Sequence, residues 1–338
     1  MVGAGEVDPE DLISAQGLCV KELLPLVYRA ASCYAVDYAV ASTEMGAYSV
    51  MQVMRSDLCP WPEGPFWMLS PKQQMHARRL TVETLKRRIA VFFGAGVSIS
   101  SGLPTWQGLL NELQEQLVRA GKLTEADCEN MRELTLLDQA TLVEMDMGSK
   151  QLKQACVEIT SKGLFTPAHA MLGALHVTAI TTNYDELYET AQCHDVVRLP
   201  WEAPRLASCE DLKTDHLKLV KLHGCISRPK SIVLTRGDYL RYGDQREAMR
   251  GLLSRSLLEK EVLIAGFSMT DDNVHISIDR CRKVWEINHQ QAGSSNLQRL
   301  LEEARPKKMG TILTLVANSM FTKLWARDFH VVASCAEK

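Results

Sequence analysis

The chain has 338 residues, of which 46% are hydrophobic and 23% are charged. These proportions are typical of a soluble globular protein and exclude a mostly disordered chain. Its 38 basic and 41 acidic residues leave a net charge of -3, so we expect neither a nucleic acid nor an anionic membrane among its partners.

The first 80 residues differ in composition from the rest of the chain, being rich in Ala, Val, Tyr and Met. The prolines between Cys59 and Pro65 favour a segment boundary, because proline lacks an amide donor and restricts its neighbours. A helix is predicted from Pro71 to about Arg88, with Ser70 as its N-cap. We therefore predict an N-terminal helical extension over residues 1–80 and a second domain over residues 81–338.

The remainder of the chain alternates short apolar runs with longer amphipathic ones, which predicts an α/β domain with a doubly wound, mostly parallel sheet. The predicted strands are Ile89–Phe93, Val177–Thr182, Lys218–Leu222, Val262–Ala265, Thr311–Val316 and His330–Ala333. The predicted helices between them are Thr105–Ala120, Glu125–Gln139, Ser149–Ser161, Ala168–Leu175, Tyr184–Cys193 and Gln245–Glu259. Ligands of such sheets bind beyond the carboxyl ends of the strands, so the residues that follow each strand are the first candidates for a site.

Two of the predicted strands end in segments that suit a nucleotide. The first strand leads into Gly94–Ser98, whose glycines permit close approach to a phosphate but also suit an ordinary tight turn. Neither the Gly-x-Gly-x-x-Gly pattern nor the P-loop pattern is complete there. The second strand is followed by Asn183 and Asp185, which suit either a helix cap or a polar contact with a ribose or a water molecule.

Two further strands also end in distinctive residues. His223 and Gly224 follow the third strand, and a histidine so placed is expected to be exposed, as a general base must be; an ordinary loop histidine shows the same pattern. Gly266–Ser268 follows the fourth strand and suits the hydroxyls of a nucleotide, whereas Asp271 suits a helix cap. A nucleophilic Cys225 beside His223 is disfavoured, because no third group supports such a pair.

The ten cysteines are scattered, and none forms a Cys-x-x-Cys pair. That spacing is typical of structural zinc sites, and a His-Glu-x-x-His motif is missing as well, so the sequence predicts no metal. The acidic N-terminal segment does not resemble a signal peptide, and charges interrupt the most apolar early stretch. We therefore expect free thiols in a cytoplasmic or nuclear protein with no membrane partner.

Taken in this order, the four strand-end segments resemble the sirtuin-like superfamily of NAD-binding proteins, which have a Rossmann-like sheet. Gly94–Ser98 with Gly102–Pro104 is similar to the Gly-Ala-Gly-x-Ser and Gly-Ile-Pro signature, Thr182–Asp185 to Gln-Asn-x-Asp, and Leu222–Gly224 to Leu-His-Gly. The resemblance covers roughly residues 85–335. It is closest to a divergent branch found in bacterial antiphage proteins and some eukaryotic proteins, on four further segments: Pro104–Trp106, Thr181–Asp185, Ile232–Thr235 with Asp238 and Tyr239, and Gly266–Ser268.

Two departures separate the chain from the protein deacylases of this superfamily. Thr105-Trp106-Gln107 stands where deacylases have Asp-Phe-Arg, and their zinc module with two Cys-x-x-Cys pairs is missing. The branch without zinc is associated with NAD hydrolysis. The resemblance therefore implies an NAD glycohydrolase that consumes NAD as its substrate. An NAD-dependent protein deacylase and a nucleotide-binding assembly protein without turnover are the alternatives.

The resemblance also implies which residues form the site. Asn183 and His223 match the essential pair; Asn183 is expected to contact ribose or water, His223 to activate water or a ribose hydroxyl, and Asp185 to orient the carboxamide or offset positive charge. Related NAD hydrolases commonly work as oligomers, so a homo-oligomer is expected, with residues 1–80 packed on another subunit or on the chain's own domain. The residues expected to bind NAD are Gly94, Ala95, Gly96, Ser98, Pro104, Thr105, Trp106, Thr182, Gly266, Phe267, Ser268 and Asp271.

Overall fold

The computed structural model describes residues 22–30, 33, 69–161, 163–192, 196–201, 217–291 and 308–335. The chain divides into two compact units, Met1–Ala77 and Arg78–Lys338. In the first unit, residues 22–30 form a helix. The proline run and most of the predicted N-terminal extension lie outside the described residues, so the boundary at residues 80 and 81 stays a prediction.

The second unit is built around a seven-stranded sheet in which every pair of neighbouring strands is parallel. This sheet confirms the predicted α/β class, with strands added on both sides of β1. The strands lie in the order β3-β4-β2-β1-β5-β6-β7. Their bounds are β1 Ile89–Phe93, β2 Ala179–Thr181, β3 Val196–Leu199, β4 Leu217–Lys221, β5 Glu261–Ala265, β6 Gly310–Val316 and β7 Phe329–Cys335.

Six of these strands confirm the strands predicted from the sequence, and β3 was missed. Each residue of β1 is buried, whereas each residue of β3 is only half-buried, because β3 forms one edge of the sheet. An edge strand needs less apolar surface than a central one. Arg198 interrupts the apolar pattern of β3, and Pro200 follows it directly, so a four-residue run of this kind gives a weak sequence signal.

After the helix over residues 22–30, one helix precedes β1, and the others lie in the connections between the strands. Two helix predictions are wrong. Residues 125–139 form two helices, because the Thr135 hydroxyl accepts a hydrogen bond from the amide of Asp138 and starts a new helix. Of the predicted helix Tyr184–Cys193, only Leu187–Thr190 is helical. The helices are α1 Pro71–Leu85, α2 Trp106–Arg119, α3 Glu125–Met131, α4 Leu136–Met147, α5 Ser149–Thr160, α6 Pro167–Gly173, α7 Leu187–Thr190, α8 Arg236–Leu240, α9 Tyr242–Glu259, α10 Asp272–Gln291 and α11 Ser319–Trp325.

The core lies on both faces of the sheet, as continuous apolar strands require. Along β1, Phe92 belongs to a cluster with Val220 and the buried residues of α9 and α10. Its neighbours Val91 and Phe93 belong to a second cluster, with Leu219, on the opposite face. Burial on both faces therefore fixes the register of the central strands and the position of the loops that follow them.

The chain leaves β1 towards β2 on one side and later crosses from β4 to β5 on the other side. In a doubly wound sheet, this reversal opens a crevice beyond the carboxyl ends of the central strands. The four predicted site segments follow β1, β2, β4 and β5, so the topology places all of them at this edge. Across the described part of the chain, no helix combines the length and hydropathy needed to span a membrane.

Candidate functional site

The loops after β1 and β5 pack directly against each other. The amide of Gly94 donates to the carbonyl of Ala265 at 3.1 Å, and the amide of Gly96 donates to that of Gly266 at 2.8 Å. Gly266 has φ 60°, and a Cβ atom there would lie 2.5 Å from the Val97 nitrogen. Glycine is therefore needed at Gly266 for close backbone approach and for its left-handed conformation.

This packing limits the predicted phosphate loop. The amides of Gly94 and Gly96 are engaged by the β5 loop, and those of Val97 and Ser98 donate to Gly94 and Ala95 within their own turn. Four amides of the segment are thus already hydrogen-bonded. The packing of Gly94 and Gly96 against the β5 loop is a role that neither the phosphate-binding nor the tight-turn interpretation of the sequence included. Binding of NAD by this loop stays a prediction. These four amides already donate to carbonyls of the protein and would not be free to donate to a bound phosphate.

A buried polar cluster joins the loops after β1 and β2. Asn183 Nδ2 donates to the carbonyl of Gly94 and to Ser98 Oγ, both at 3.2 Å. Ser98 Oγ donates to Asp185 Oδ2 at 3.0 Å, while Asp185 Oδ1 accepts from the amide of Leu187 at 3.1 Å. The structure therefore brings together the predicted catalytic residues Asn183 and Asp185. Asp185 also accepts the first amide of the helix that begins at Leu187, although the N-cap position itself is Glu186.

One member of this cluster was missed from the sequence. His169 in α6 is fully buried, and its Nε2 lies 3.2 Å from Ser98 Oγ. Its Nδ1 accepts the amide of Thr166 at 3.1 Å, as the third residue of a capping box. The sequence Thr166-Pro167-Ala168-His169 carries a cap signal that would have predicted the start of α6, but it carries no indication that the imidazole reaches Ser98.

His223 is close to the crevice but buried, so the prediction that it is exposed is wrong. It is 4% exposed, and the rings of Tyr239 and Tyr242 lie edge-on to it at centroid distances of 5.4 and 5.8 Å. Burial lowers the pKa of His223 below its ordinary 6.5, opposed by the charge of Asp271 and reinforced by that of Arg246. His223 is therefore neutral near pH 7, which is the form that can accept a proton.

The carboxylate of Asp271 lies beside this histidine. His223 Nε2 is 3.3 Å from Asp271 Oδ2 but is not aligned for a hydrogen bond, and it has no hydrogen-bond partner among the described residues. Asp271 Oδ1 caps α10 through the amide of Val274, and Oδ2 accepts from Tyr239 Oη at 2.7 Å. Binding of NAD by Asp271 stays a prediction; in the structure both of its oxygens accept hydrogen bonds within the protein.

Further aromatic rings pack in sequence next to His223. Trp106, which was predicted to bind NAD, stacks on Tyr239 with 6.1 Å between the centroids and an interplanar angle of 7°. Tyr239 was noted only as a family feature, although it contacts His223, Asp271 and Trp106. Sequence periodicity could not have predicted these contacts of Tyr239, because Tyr239 lies in α8, a helix of only five residues.

The other predicted NAD-binding residues have ordinary surroundings. Thr105 caps α2 by accepting the amide of Gly108 at 3.2 Å, and the ring of Phe267 packs against the buried Phe92 with 4.7 Å between centroids. The side chain of Ser268 is exposed and meets that of Thr270. The half-buried remainder are Ala95, Pro104 and Thr182.

A buried lysine supports the loop after β2 from behind. Lys221, the last residue of β4, is fully buried, and its ammonium donates to the carbonyl of Asp185 at 2.5 Å and to that of Tyr184 at 3.4 Å. It also pairs with Glu189 Oε1 at 2.9 Å, and this carboxylate helps to raise the pKa of Lys221 against the effect of burial. The charged lysine therefore holds the backbone that carries Asp185.

The same region contains the closest approach to a metal-ligand set among the described residues. Ligand atoms of Glu186, Glu189 and Cys225 lie within 4.8 Å of one another. The ammonium of Lys221 is bound to Glu189, and Glu186 pairs with Arg198, so the two carboxylates already have cationic partners. The Cys225 thiol donates to Glu186 at 3.3 Å, which turns it away from a nucleophilic role with His223.

Lys221→Met should lower the free energy of unfolding by about 3 kcal/mol, because it leaves the partly buried carboxylate of Glu189 and two carbonyls without their donor. Urea denaturation measures this change. Lys218→Met is the matched control, since Lys218 is an exposed lysine of the same strand and its loss should cost less than ~0.5 kcal/mol. Equal stability of the two variants would show that Lys221 does not support the loop.

A wholly parallel sheet with buried polar side chains beyond its central strands defines a Rossmann-like α/β domain with its site at the switch point. Residues 177–304 match the family model described as a SIR2-like domain. This match and the relatives below show that the chain is similar to proteins of the sirtuin-like superfamily.

Similar curated proteins include two NAD hydrolases and one deacylase. NAD(+) hydrolase ThsA of Bacillus cereus (strain MSX-D12) is 28% identical over 222 residues, which cover 64% of this chain and 45% of that protein. NAD(+) hydrolase ThsA of Enterococcus faecium is 29% identical over 221 residues, 62% of this chain and 43% of that protein. NAD-dependent protein deacylase 1 of Pseudomonas aeruginosa is 32% identical over 148 residues, 41% of this chain and 54% of that protein. The chain thus spans less than half the length of the two hydrolases.

Proposed function

We propose that this chain is an NAD glycohydrolase, which cleaves the bond between nicotinamide and ribose in NAD to give nicotinamide and ADP-ribose. The observation that carries the proposal is the placement of Asn183, Asp185 and His223 in the loops that follow the adjacent strands β2 and β4, with Asn183 and Asp185 joined through Ser98. The similarity to two proteins named NAD(+) hydrolase supports it. NAD is the substrate, and the proposal needs no metal and no other cofactor.

The proposed cleavage of NAD requires few side chains of the protein. Cleavage proceeds through an oxocarbenium-like state in which the electron pair of the breaking bond goes to nicotinamide, which leaves as a neutral molecule. The carboxylate of Asp185 would offset the positive charge on the ribose. Water then adds to the ribose carbon, and its proton goes to His223. The carboxylate of Asp271, 3.3 Å from His223 Nε2, would stabilise the imidazolium that forms.

The direct test is incubation of the purified chain with NAD alone, followed by chromatography of the products. Nicotinamide and ADP-ribose in equal amounts are expected. Turnover that requires an acetylated peptide and yields an acetylated ADP-ribose would instead establish a deacylase, the activity named for the third relative. Binding of NAD with no turnover in any assembly state would leave a nucleotide-binding protein.

Asp271→Asn should move the acid limb of the pH profile of kcat/KM to lower pH. The neutral form of His223 is the active one, so activity falls as the pH drops through its pKa. The charge of Asp271 raises that pKa, and its removal lets the pKa fall further. Asparagine keeps an oxygen that can cap α10. Asp279→Asn, which removes a surface carboxylate, should leave the limb in place, and a limb that stays or moves upward in Asp271→Asn would contradict the role given to Asp271.

We further propose that the chain forms a homo-oligomer in the cytoplasm, with residues 1–80 contributing to assembly. The free thiols at Cys128, Cys156, Cys225 and Cys281 suit a reducing compartment. A chain that begins at Gln73 should stay folded and bind NAD but form a smaller assembly than the full chain by light scattering. Equal subunit numbers would contradict the assembly role, and an insoluble truncated chain would favour packing of residues 1–80 on the chain's own domain.

A further inference from the structure

His169 is a buried histidine for which the proposed chemistry has no use. It sits in α6, before β2, yet its ring contacts the cluster that holds two proposed catalytic residues. Its two nitrogens have different partners: Nδ1 faces Thr166 and Nε2 faces Ser98. A buried imidazole with a defined partner on each nitrogen has a defined tautomer, and this tautomer sets the direction of every hydrogen bond that follows.

The partner of Nδ1 fixes the proton of the ring. The amide of Thr166 can only donate, so Nδ1 of His169 must accept and carries no proton. The Thr166 hydroxyl, 3.0 Å from the same nitrogen, is then a donor to it as well. Burial lowers the pKa of His169, against the effect of Asp185, which keeps the ring neutral. The single ring proton therefore resides on Nε2 and is donated to Ser98 Oγ, 3.2 Å away.

The hydrogen bond from His169 fixes the direction of the other hydrogen bonds of the Ser98 hydroxyl. It accepts from His169 Nε2 and from Asn183 Nδ2, which occupies both of its lone pairs. Its own proton goes to Asp185 Oδ2 at 3.0 Å. Ser98 is 1% exposed and has no remaining donor, so the expectation that it binds NAD directly is replaced by a role inside the protein.

The amide of Asn183 is the end of the chain of hydrogen bonds. The carbonyl of Gly94 can only accept, so the nitrogen of this amide must face it, and the second hydrogen of the same nitrogen goes to Ser98. Both N–H bonds are thus used within the protein. The atom of Asn183 that is left for a ligand is its oxygen, Oδ1.

We infer that His169 is a positioning residue which, through Ser98, locks the Asn183 amide so that its oxygen is presented to the substrate. An amide oxygen accepts a hydrogen bond from a ribose hydroxyl and places partial negative charge beside a developing cation; the nitrogen would do neither. The inference rests on the proposed function for its substrate. It goes beyond that function in naming a residue outside the crevice that fixes the polarity of the site.

Two substitutions of His169 separate positioning from helix capping. In His169→Gln the side-chain nitrogen can take the place of Nε2 and donate to Ser98, whereas the contact with Thr166 is lost. In His169→Asn the amide takes the place of Nδ1 and can still accept from Thr166, but nothing reaches Ser98. We expect His169→Gln to keep kcat within about threefold of the wild type and His169→Asn to lower kcat by at least ~10-fold. KM should change less than kcat, because the Asn183 oxygen stabilises the transition state more than the bound substrate.

The order of the two variants decides the question. A purely structural cap predicts the opposite order, in activity and in melting temperature, and that result or equal kcat values would overturn the inference. If the wild type binds NAD without releasing nicotinamide, the proposed function fails and the inference is still testable. In that case the affinity of each variant for NAD is measured by calorimetry, and His169→Gln should bind NAD more tightly than His169→Asn. A wild type that neither binds nor cleaves NAD overturns both.

Ser98→Ala gives a second reading if a variant of His169 does not fold. It removes the hydroxyl that links His169 to Asn183, and it should lower kcat by at least ~10-fold. Ser101→Ala, at a neighbouring half-buried hydroxyl in the same loop, is the control and should retain wild-type kcat. A Ser98→Ala variant as active as that control would overturn the inference.

Discussion

His223→Asn and Asn183→Ala should each lower the rate of nicotinamide release from NAD by at least ~10²-fold, which is the usual effect of losing a positioned acid–base or polar group. His223, beside Asp271, is the proposed base, and Asn183 supplies the amide of the polar cluster. The rates are measured at saturating NAD.

Both side chains are buried, so each variant also needs a thermal unfolding curve to normalise the rate to folded protein. His176→Asn is the matched control for His223→Asn. His176 is an exposed histidine with φ 49°, a conformation that asparagine tolerates, and its replacement should leave the rate unchanged. A folded His223→Asn or Asn183→Ala variant with nearly wild-type turnover would remove that residue from the mechanism.

Gly266→Ala should lower the free energy of unfolding by at least ~3 kcal/mol. The left-handed conformation alone costs an alanine about 1–2 kcal/mol. The added Cβ would also lie 2.5 Å from the nitrogen of Val97 and 2.9 Å from the carbonyl carbon of Gly96, neither of which can move without breaking the contact between the β1 and β5 loops. Denaturation in urea measures the loss, and NAD turnover should fall with it because both loops border the site.

Gly121→Ala isolates the conformational part of this cost. Gly121 has φ 68°, close to that of Gly266, but a Cβ there meets no atom within 4 Å. Its replacement should therefore cost only about 1–2 kcal/mol. If the two variants lost the same stability, the close approach of the loops would contribute nothing, and Gly266 would be an ordinary turn glycine.

The sequence was informative where one physical requirement dominates. Ile89–Phe93 has to be buried on both faces, and its continuous apolar pattern predicts β1 to the residue. The four strand-end segments could be placed at one edge of the sheet for the same reason, since parallel strands bring their carboxyl ends together. Val196–Leu199, with one side open, is under a weaker constraint, and its pattern was too weak to be recognised.

The site was less predictable because its geometry depends on contacts between distant segments. The glycine that follows His223 suggested an exposed position for this histidine. Its imidazole is instead packed against Tyr239 and Tyr242, which come later in the chain. His169 reaches Ser98 across 71 positions of sequence. Local patterns describe which face of an element is buried; they do not describe which side chain from another element fills the space beside it.

The hydrogen bonds from Gly94 and Gly96 to Ala265 and Gly266 have a consequence for synthesis of the protein. β1 cannot complete its pairing until β5 has emerged from the ribosome, about 170 residues after β1, and pairings of such long range form late in folding. His223 likewise lacks the carboxylate of Asp271 until then. A nascent or prematurely terminated chain therefore has no assembled site, so the proposed NAD hydrolase would be inert while it is being made.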